Sequence, residues 1–148
     1  MKAVIQKVSS AETIVDGELV SSIKKGIVIF LGIAIDDGDT DIAWLINKIT
    51  KLRIFNTFDN NINDVKGEVL LVSQFTLQAN ILKGNRPSFI KAAKSELAKT
   101  MYDKFLKQLN ENLYTELKSG IFGADMLINL SNDGPVTIIY DSSLKLKK

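Results

Sequence analysis

The stretch "GIVIFLGIAI" (residues 26–35) is continuously apolar and rich in β-branched side chains. An apolar run without alternation is typical of a β-strand that is buried on both faces of a sheet. The run is too short for a transmembrane helix, which needs about 20 apolar residues. We therefore expect it to form an interior strand of a globular protein.

The segments on either side of this strand predict a hairpin before it and a helix after it. Upstream, "KAVIQKV" (2–8) alternates loosely, and "VDGE" (15–18) carries the Asp-Gly pair of tight hairpin turns. Downstream, apolar residues recur at helical spacing from Ile42 to Leu52, and Thr40 is the predicted N-cap.

The middle of the chain also predicts both strand and helix. "GEVLLVSQFTL" (67–77) predicts a strand, residues 78–89 predict a loop, and the segment from Ser95 to Leu113 predicts a longer helix. The predicted core-facing stripe of that helix is Leu97, Met101, Phe105, Leu109 and Leu113.

The C-terminal part predicts two strands and a tail. Residues 124–131 alternate with one apolar face, and residues 136–140 are β-branched and aromatic. Residues 142–148 are rich in Lys and favour a flexible, solvated tail, with an RNA contact as the alternative. Because strands and helices are segregated rather than alternating, we predict one α+β domain over residues 1–148, with a mixed or antiparallel sheet.

The composition narrows the chemistry that this chain can perform. The chain has 19 Lys and Arg and 17 Asp and Glu, and its net charge of +2 does not predict nucleic-acid binding without a local basic patch. The absence of Cys and His excludes Ser-His-Asp and Cys-His sites and zinc sites built from them. Proton transfer would have to use a shifted Lys or carboxylate, water or a group of the substrate.

No motif in the sequence predicts a metal or a cofactor. The segment "DNNINDVKGEVL" (59–70) has Asp or Asn at the first three positions of a calcium loop, but Asp64 replaces the required Gly and Leu70 the required Glu. A turn is the better interpretation. The start "MKAVIQKV" lacks the cleavage region of a signal peptide, so we expect a cytoplasmic protein.

Two stretches fit a purely structural interpretation poorly. In "SQFTL" (73–77) the apolar strand abruptly carries Ser73, Gln74 and Thr76 around Phe75. The strand either emerges into solvent here, or its end presents backbone N–H groups and hydroxyls to an anion or ester.

The second stretch is "NDGPVT" (132–137), which places Gly134 and Pro135 between two predicted strands. All of its first four residues favour a β-turn. The alternative is a ligand site, because X–Pro bonds adopt the cis form at low cost and so hold a backbone shape that can turn carbonyl oxygens toward a ligand.

Taken together, these motifs resemble the D-aminoacyl-tRNA deacylases. The resemblance runs in order through "MKAVIQKV", "LGI", "KITKLRIF", "VLLVSQFTL", "RPSF", "FGADM" and "NDGPVT", and so covers nearly the whole chain. It implies a barrel-like sheet flanked by two main helices, and a homodimer with its active sites at the subunit interface. The implied partners are tRNA and a second copy of the chain; no membrane is implied.

The implied reaction is hydrolysis of the ester between a D-amino acid, or glycine mischarged on tRNA-Ala, and the terminal adenosine of tRNA. L-aminoacyl-tRNA is rejected. Carried over, Gly134 and a cis-bonded Pro135 would reach into the pocket of the other subunit, where an L side chain would clash with them. The α-amino group of a D residue would lie against their carbonyl oxygens.

The other wall of the pocket would be Ser73, Gln74, Phe75 and Thr76, whose main-chain N–H groups would position the ester carbonyl. Thr76 has no evident base, since no Lys is near it in sequence, so we expect it to bind substrate while the 2′-hydroxyl of the RNA assists the attack.

The predicted contacts to the tRNA body are Lys83, Arg86, Lys91 and Lys94, for which a solvated loop and helix start is the alternative. Two other classes stay open at this point: a non-catalytic RNA-binding module, and a hydrolase of L-aminoacyl-tRNA or another small ester.

Overall fold

The computed structural model describes residues 1–82 and 84–145, in which six strands form one mixed sheet with two helices packed against it. The strands are β1 (Lys2–Val15), β2 (Glu18–Ile23), β3 (Gly26–Gly32), β4 (Glu68–Ser73), β5 (Leu117–Ser119) and β6 (Leu127–Asp141). The helices are α1 (Asp39–Thr50) and α2 (Ser95–Glu111). No helix in these ranges is long and apolar enough to cross a membrane.

The long strand β1 organises the sheet. The strand order is β2-β1-β3-β4-β5, and β6 pairs with β1 as well. Pairs that involve β1 are antiparallel, whereas β3, β4 and β5 run parallel to one another. Ser21 Oγ donates to the carbonyl of Ser119 at 2.6 Å and so links β2 to β5 across the open side. The predicted α+β class with a mixed, barrel-like sheet and two main helices is confirmed.

The predicted interior strand and hairpin are also confirmed. In β3 every residue except Phe30 is buried, and β1 and β4 flank it on its two edges. Asp16 and Gly17 join β1 to β2 with φ of 51° and 81°, the positive values that a tight I′-type turn requires.

Hydrophobic residues pack on both faces of the sheet. Each helix turns one apolar stripe toward the larger cluster; the buried residues are Ile42, Leu45, Ile46 and Ile49 in α1, and Met101, Tyr102, Phe105 and Leu109 in α2. A smaller cluster on the other face comprises Val8, Ala11, Ile23, Val28, Leu70 and Val72.

The prediction for the start of the α2 stripe was wrong. Leu97 is 41% exposed, whereas Tyr102 is buried. The reason is that the first turn of α2 borders a cavity, which Ser95 and Ala98 line, so that a side chain there does not face the sheet.

The predicted N-cap of α1 was also wrong. Gly38 is the N-cap, and Thr40 lies inside the first turn. The carboxylate of Asp41, three residues into the helix, accepts a hydrogen bond from the Gly38 N–H at 3.0 Å and so fixes the start of α1 two residues before Thr40.

The predicted flexible tail does not begin at 142, because Ser142–Leu144 form a short 3₁₀ helix, although the Leu144 side chain is 79% exposed. Ser142 is buried, and Lys145 Nζ lies 2.7 Å from Asp41 Oδ1. Burial raises the pKa of Asp41, but hydrogen bonds from Lys145, Gly38 and Ser142 outweigh burial and lower the pKa to about 2. Residues 146–148 of the predicted tail lie outside the described ranges.

Candidate active site

A cavity of about 460 Å³ opens between the end of β4, the start of α2 and the loop before β6. This volume suits a small organic ligand. Its lining residues are Leu31, Ile33, Val72, Ser73, Gln74, Phe75, Ala93, Ser95, Ala98, Phe122, Gly123, Ala124, Asp125, Met126 and Ile128. Three of the four residues predicted for the pocket wall are therefore brought together there.

The strand predicted over 67–77 ends at Ser73, and this early end shapes the cavity wall. Phe75–Gln78 forms a 3₁₀ turn instead of continuing the strand. The turn is tied to the end of β3, since the Gln74 N–H donates to the Leu31 carbonyl at 2.8 Å and the buried Gln78 Nε2 donates to the Gly32 carbonyl at 2.8 Å.

Gly32 permits this close approach. A Cβ at position 32 would lie 2.8 Å from the Gln74 carbonyl oxygen and 2.8 Å from Leu77 Cβ, so a larger residue would push the turn away from β3. The Gly in the "LGI" motif is thus explained by packing beneath the cavity wall.

The main-chain donors of this wall are not equivalent. The Gln74 N–H is occupied by the Leu31 carbonyl, whereas the N–H groups of Phe75 and Thr76 have no acceptor among the described residues. Phe75 also carries its ring at the cavity, 58% exposed and edge-on to Phe89 with 5.1 Å between ring centroids. Phe75 therefore offers both an apolar surface and a free donor.

Thr76 differs from the other predicted wall residues because it does not line the cavity. Its side chain accepts a hydrogen bond from Gln74 Nε2, so the hydroxyl is engaged in orienting that amide. No described Lys is hydrogen-bonded to the Thr76 hydroxyl.

The opposite wall comes from residues 122–126, which sequence reasoning quoted as the "FGADM" motif but did not assign to the site. Tyr102 fixes this wall: its hydroxyl donates to the Leu71 carbonyl at 3.1 Å, and its ring packs against Phe122 at 5.3 Å. Burial raises the pKa of Tyr102, which keeps the hydroxyl protonated as a donor. The sequence feature that could have indicated this wall is the short Gly-Ala segment directly before a strand.

Asp125 is the one ionisable side chain among the described residues that line the cavity. It is exposed at the cavity and has no hydrogen-bond or ion-pair partner within the described ranges. The other lining side chains are apolar groups, serine hydroxyls and the Gln74 amide, none of which is charged.

Gly134 and Pro135 lie within β6, because the two predicted C-terminal strands are one strand, Leu127–Asp141. The β-turn interpretation was therefore wrong. Gln6 pairs with Thr137 and Val8 pairs with Asn132, so residues 133–136 bulge out opposite the single residue between those partners. We call this segment the 133–136 excursion.

The peptide bond between Gly134 and Pro135 is cis, as the resemblance implies. Both residues are exposed, and neither lines the cavity of the same chain. Gly134 has φ of +124°, and a Cβ there would lie 2.8 Å from Val136 Cγ2, so only Gly fits this position without strain and a clash.

The predicted tRNA-contact residues are partly described. Arg86, Lys91 and Lys94 are exposed and form no ion pair with any described acid. Lys94 is the N-cap of α2 and lies between two cavity-lining residues, while Lys83 lies outside the described residues.

Comparison with known proteins gives a consistent result. Residues 4–141 match the family model described as D-Tyr-tRNA(Tyr) deacylase. The chain is 50% identical to the D-aminoacyl-tRNA deacylase of Flavobacterium psychrophilum, over 98% of this chain and 99% of the relative. It is 49% identical to that of Fusobacterium nucleatum, over 96% of both chains.

Two solved structures share the fold. A structure titled "c-Myc DNA Unwinding Element Binding Protein" superimposes with a TM-score of 0.91 at 41% identity, over 95% of this chain and 98% of the other. A probable eukaryotic D-amino acid tRNA deacylase superimposes with a TM-score of 0.81 at 14% identity, over 94% and 97% of the two chains.

Proposed function

The chain belongs to the D-Tyr-tRNA(Tyr) deacylase family, and we infer that it is a hydrolase that removes D-amino acids from tRNA in the cytoplasm. Water adds across the ester: the bond between the acyl carbon and the ribose oxygen breaks, and free D-amino acid and tRNA are released. The reaction removes the D-amino acid from mischarged tRNA before that tRNA is used in translation.

The observation that carries this function is the cavity of about 460 Å³ against the end of β4. It is large enough for an aminoacyl group, and its wall combines the Phe75 ring with the free Phe75 N–H. We assign that N–H, rather than the occupied Gln74 N–H, to the ester carbonyl. A preorganised backbone donor at this place stabilises the charge that develops on the carbonyl oxygen during hydrolysis.

Selection between D and L substrates is assigned to the 133–136 excursion of a second subunit. Its exposure, and its absence from the cavity of its own chain, support an action across a homodimer interface. Among the described strands β6 pairs only with β1, and Leu127 and Ile139 on it are 60% and 71% exposed, which leaves a surface for a second copy.

The same filter explains why Gly-tRNA is also expected to be hydrolysed. Rejection by a clash with an L side chain does not exclude glycine, which has only hydrogen at that place, so Gly-tRNA is a substrate as well. A clash also separates enantiomers better than an apolar pocket, which discriminates small groups by only about 1–3 kcal/mol.

The chemical step is assigned to the substrate and to water. The chain has no His, and Thr76 is engaged with Gln74, so neither supplies a base beside the ester. We assign the assisting role to the 2′-hydroxyl of the terminal adenosine, while the protein holds the ester in place. Arg86, Lys91 and Lys94, with Lys83, bind phosphates of the tRNA.

The first experiment compares D-Tyr-tRNA, L-Tyr-tRNA and Gly-tRNA with the purified protein. Multiple turnovers of the D and glycyl substrates with no hydrolysis of the L substrate are expected. Binding without turnover would favour the non-catalytic module, and turnover of the L substrate would favour a different esterase.

The second experiment separates the candidate groups for the chemical step. Single-turnover rates are measured with tRNA ending in 2′-deoxyadenosine, and with the Thr76→Ala and Asp125→Asn variants on normal tRNA. The deoxy substrate should lose at least about a hundredfold in rate, as expected for a lost assisting group. If Thr76→Ala abolished turnover but kept affinity, Thr76 would be the nucleophile; if Asp125→Asn did so, Asp125 would be the base.

The third experiment tests action across the interface by subunit mixing. Gly134→Ala subunits, which we expect to hydrolyse L-Tyr-tRNA, are mixed with an excess of Phe75→Ala subunits, which have a damaged cavity wall. If the excursion acts in the partner's cavity, mixing restores rejection of the L substrate. Rejection that stays lost, or a monomer in sedimentation that is fully active, would place the filter in its own chain.

The phosphate contacts are tested by the salt dependence of tRNA affinity. Replacing Arg86 and Lys94 with Gln should reduce the slope of log affinity against log salt by about one for each lost contact. The control replaces Lys66 and Lys107, which are also exposed, and should leave the slope unchanged.

A further inference from the structure

One side chain links the two ends of the 133–136 excursion. We call the place where the excursion leaves and rejoins the ladder of β6 with β1 its neck. Asn132 Nδ2 lies 2.8 Å from Gln6 Oε1, 3.0 Å from the Lys7 carbonyl oxygen and 3.1 Å from the Val136 carbonyl oxygen, so its two N–H groups are shared among three acceptors. The bond to Val136 joins the residue before the excursion to its last residue. The two bonds to Gln6 and Lys7 fasten the same amide to β1.

A second bond completes this arrangement. Thr137 Oγ1 donates to Gln6 Oε1 at 2.6 Å, so the Gln6 side chain accepts from residues on both sides of the excursion. We call Asn132, Gln6 and Thr137 the neck cluster. It contains no charged side chain.

The geometry of the ladder explains why a polar residue is needed here. Where four residues of β6 face one residue of β1, the regular ladder bonds are interrupted, and the carbonyls of Lys7 and Val136 need another donor. Asn132 is half-buried, so leaving those acceptors unpaired would cost about 1–3 kcal/mol for each buried group.

We propose that the neck cluster, through Asn132, positions Gly134 and Pro135 and thereby sets the stereospecificity of the enzyme without touching the substrate. This inference rests on the proposed function of the excursion as the filter. Repulsion between atoms in contact falls steeply as the distance between them grows, so a filter that works by a clash is effective only while its backbone is held in place. A shift of about 1 Å changes reaction rates by up to about a hundredfold.

The expected consequence is selective. An excursion that is held less firmly is displaced by an L side chain, so the rate of hydrolysis of L-Tyr-tRNA rises. Gly-tRNA has no side chain that meets the filter, so its hydrolysis changes little. The ratio of L to Gly turnover therefore reports the position of the excursion, whereas general damage to the fold lowers both rates together.

The experiment measures kcat/KM of D-Tyr-tRNA, L-Tyr-tRNA and Gly-tRNA for Asn132→Leu, which keeps the size of the side chain but removes its donors. The matched control is Asn129→Leu, on the same strand, exposed and without a side-chain hydrogen bond among the described residues. Asn132→Leu should raise the L to Gly ratio at least about tenfold. The control should keep the wild-type ratio.

Thr137→Val provides a milder second variant in case Asn132→Leu does not fold. It is isosteric and removes only the bond to Gln6, so a smaller rise of the L to Gly ratio, about threefold, is expected. The thermal midpoint of each variant is measured alongside, to show that the protein is folded at the assay temperature.

The outcomes separate the inference from the function on which it rests. If the wild type fails to hydrolyse D-Tyr-tRNA, the proposed function is wrong. If the wild type hydrolyses it and rejects the L substrate, but folded Asn132 and Thr137 variants keep the wild-type L to Gly ratio, only the inference about the neck cluster is overturned. A rise of that ratio with the control unchanged supports it.

Discussion

The end of β4 and the 133–136 excursion are both assigned to the substrate, but different interactions hold them. The β4 end continues a strand whose residues Leu70 and Leu71 are fully buried, and its turn is fixed by buried hydrogen bonds to β3. The excursion is exposed, and its neck is held by the side chain of Asn132. The position of the cavity therefore depends on the hydrophobic core, whereas the position of the filter depends on a few polar contacts.

This difference has a functional consequence. Mutations beneath the cavity wall should lower the free energy of unfolding and affect all substrates alike. Mutations of the exposed residues 133–135 should change the ratio between substrates with little effect on unfolding. Stability and selectivity are thus expected to respond to separate parts of the molecule.

The largest effect is expected from Leu71→Ala. Leu71 is fully buried directly beneath the cavity wall, so its truncation should lower the free energy of unfolding by about 2–5 kcal/mol in urea denaturation. The ratio of L to D turnover in the remaining folded protein should stay that of the wild type. The control is Leu19→Ala on β2, a leucine that is 60% exposed and should cost less than about 0.5 kcal/mol. Equal losses for both variants would contradict the proposed division.

The next effect is expected from Gly134→Ala, which acts on the filter instead of the core. The methyl group would meet Val136 Cγ2 at 2.8 Å in a backbone with φ of +124°. The excursion must shift, so the ratio of L to D turnover should rise about a hundredfold. Gly17→Ala serves as the control, because Gly17 also has positive φ, 81°, but nothing within 4 Å of its Cβ position. A selectivity loss in Gly17→Ala as well would show that general strain is responsible.

The sequence predicted the first of these two regions better than the second. The core of β3 and β4 follows from continuous apolar runs, because burial on both faces leaves a clear pattern in a single segment. The early end of β4 does not follow, since it depends on the contact of Gln78 with Gly32, and residues this far apart in sequence carry no shared periodicity.

The excursion illustrates the same limit. Gly134 and Pro135 were found as an interruption of a strand pattern, and the resemblance supplied their role. The ladder on either side, and the bonds from Asn132 to Gln6 and Lys7, join segments more than a hundred residues apart, so the local pattern indicated a turn. The loop 122–126 was missed as a cavity wall for the same reason.

A third effect is expected far from both regions, at Asp41. Its pKa is about 2 in the folded protein against an ordinary value of 3.8, because hydrogen bonds from Lys145, Gly38 and Ser142 outweigh its burial. A lowered folded pKa contributes stability above pH 3.8 that is lost as the pH falls toward 2. Urea denaturation should show wild type about 1–2 kcal/mol more stable than Asp41→Asn near neutral pH, with the difference shrinking below about pH 4. A difference independent of pH would contradict this assignment, and a change in the L to D ratio would link this distant cluster to the filter.

The smallest effect is expected from the ion pair beside the neck cluster. Lys7 Nζ lies 2.9 Å from Asp133 Oδ2, with the Asp133 side chain 46% exposed. Exposed pairs are worth about 0–1 kcal/mol and weaken with salt, so Asp133→Asn should change the L to D ratio less than about threefold. Because both substrates carry the same tRNA, the effect of salt on tRNA binding cancels in that ratio. A ratio that stays constant as salt rises therefore excludes the ion pair as the support of the filter, as expected if the neutral Asn132 bonds hold it, whereas a ratio that collapses with salt would assign the support to the ion pair.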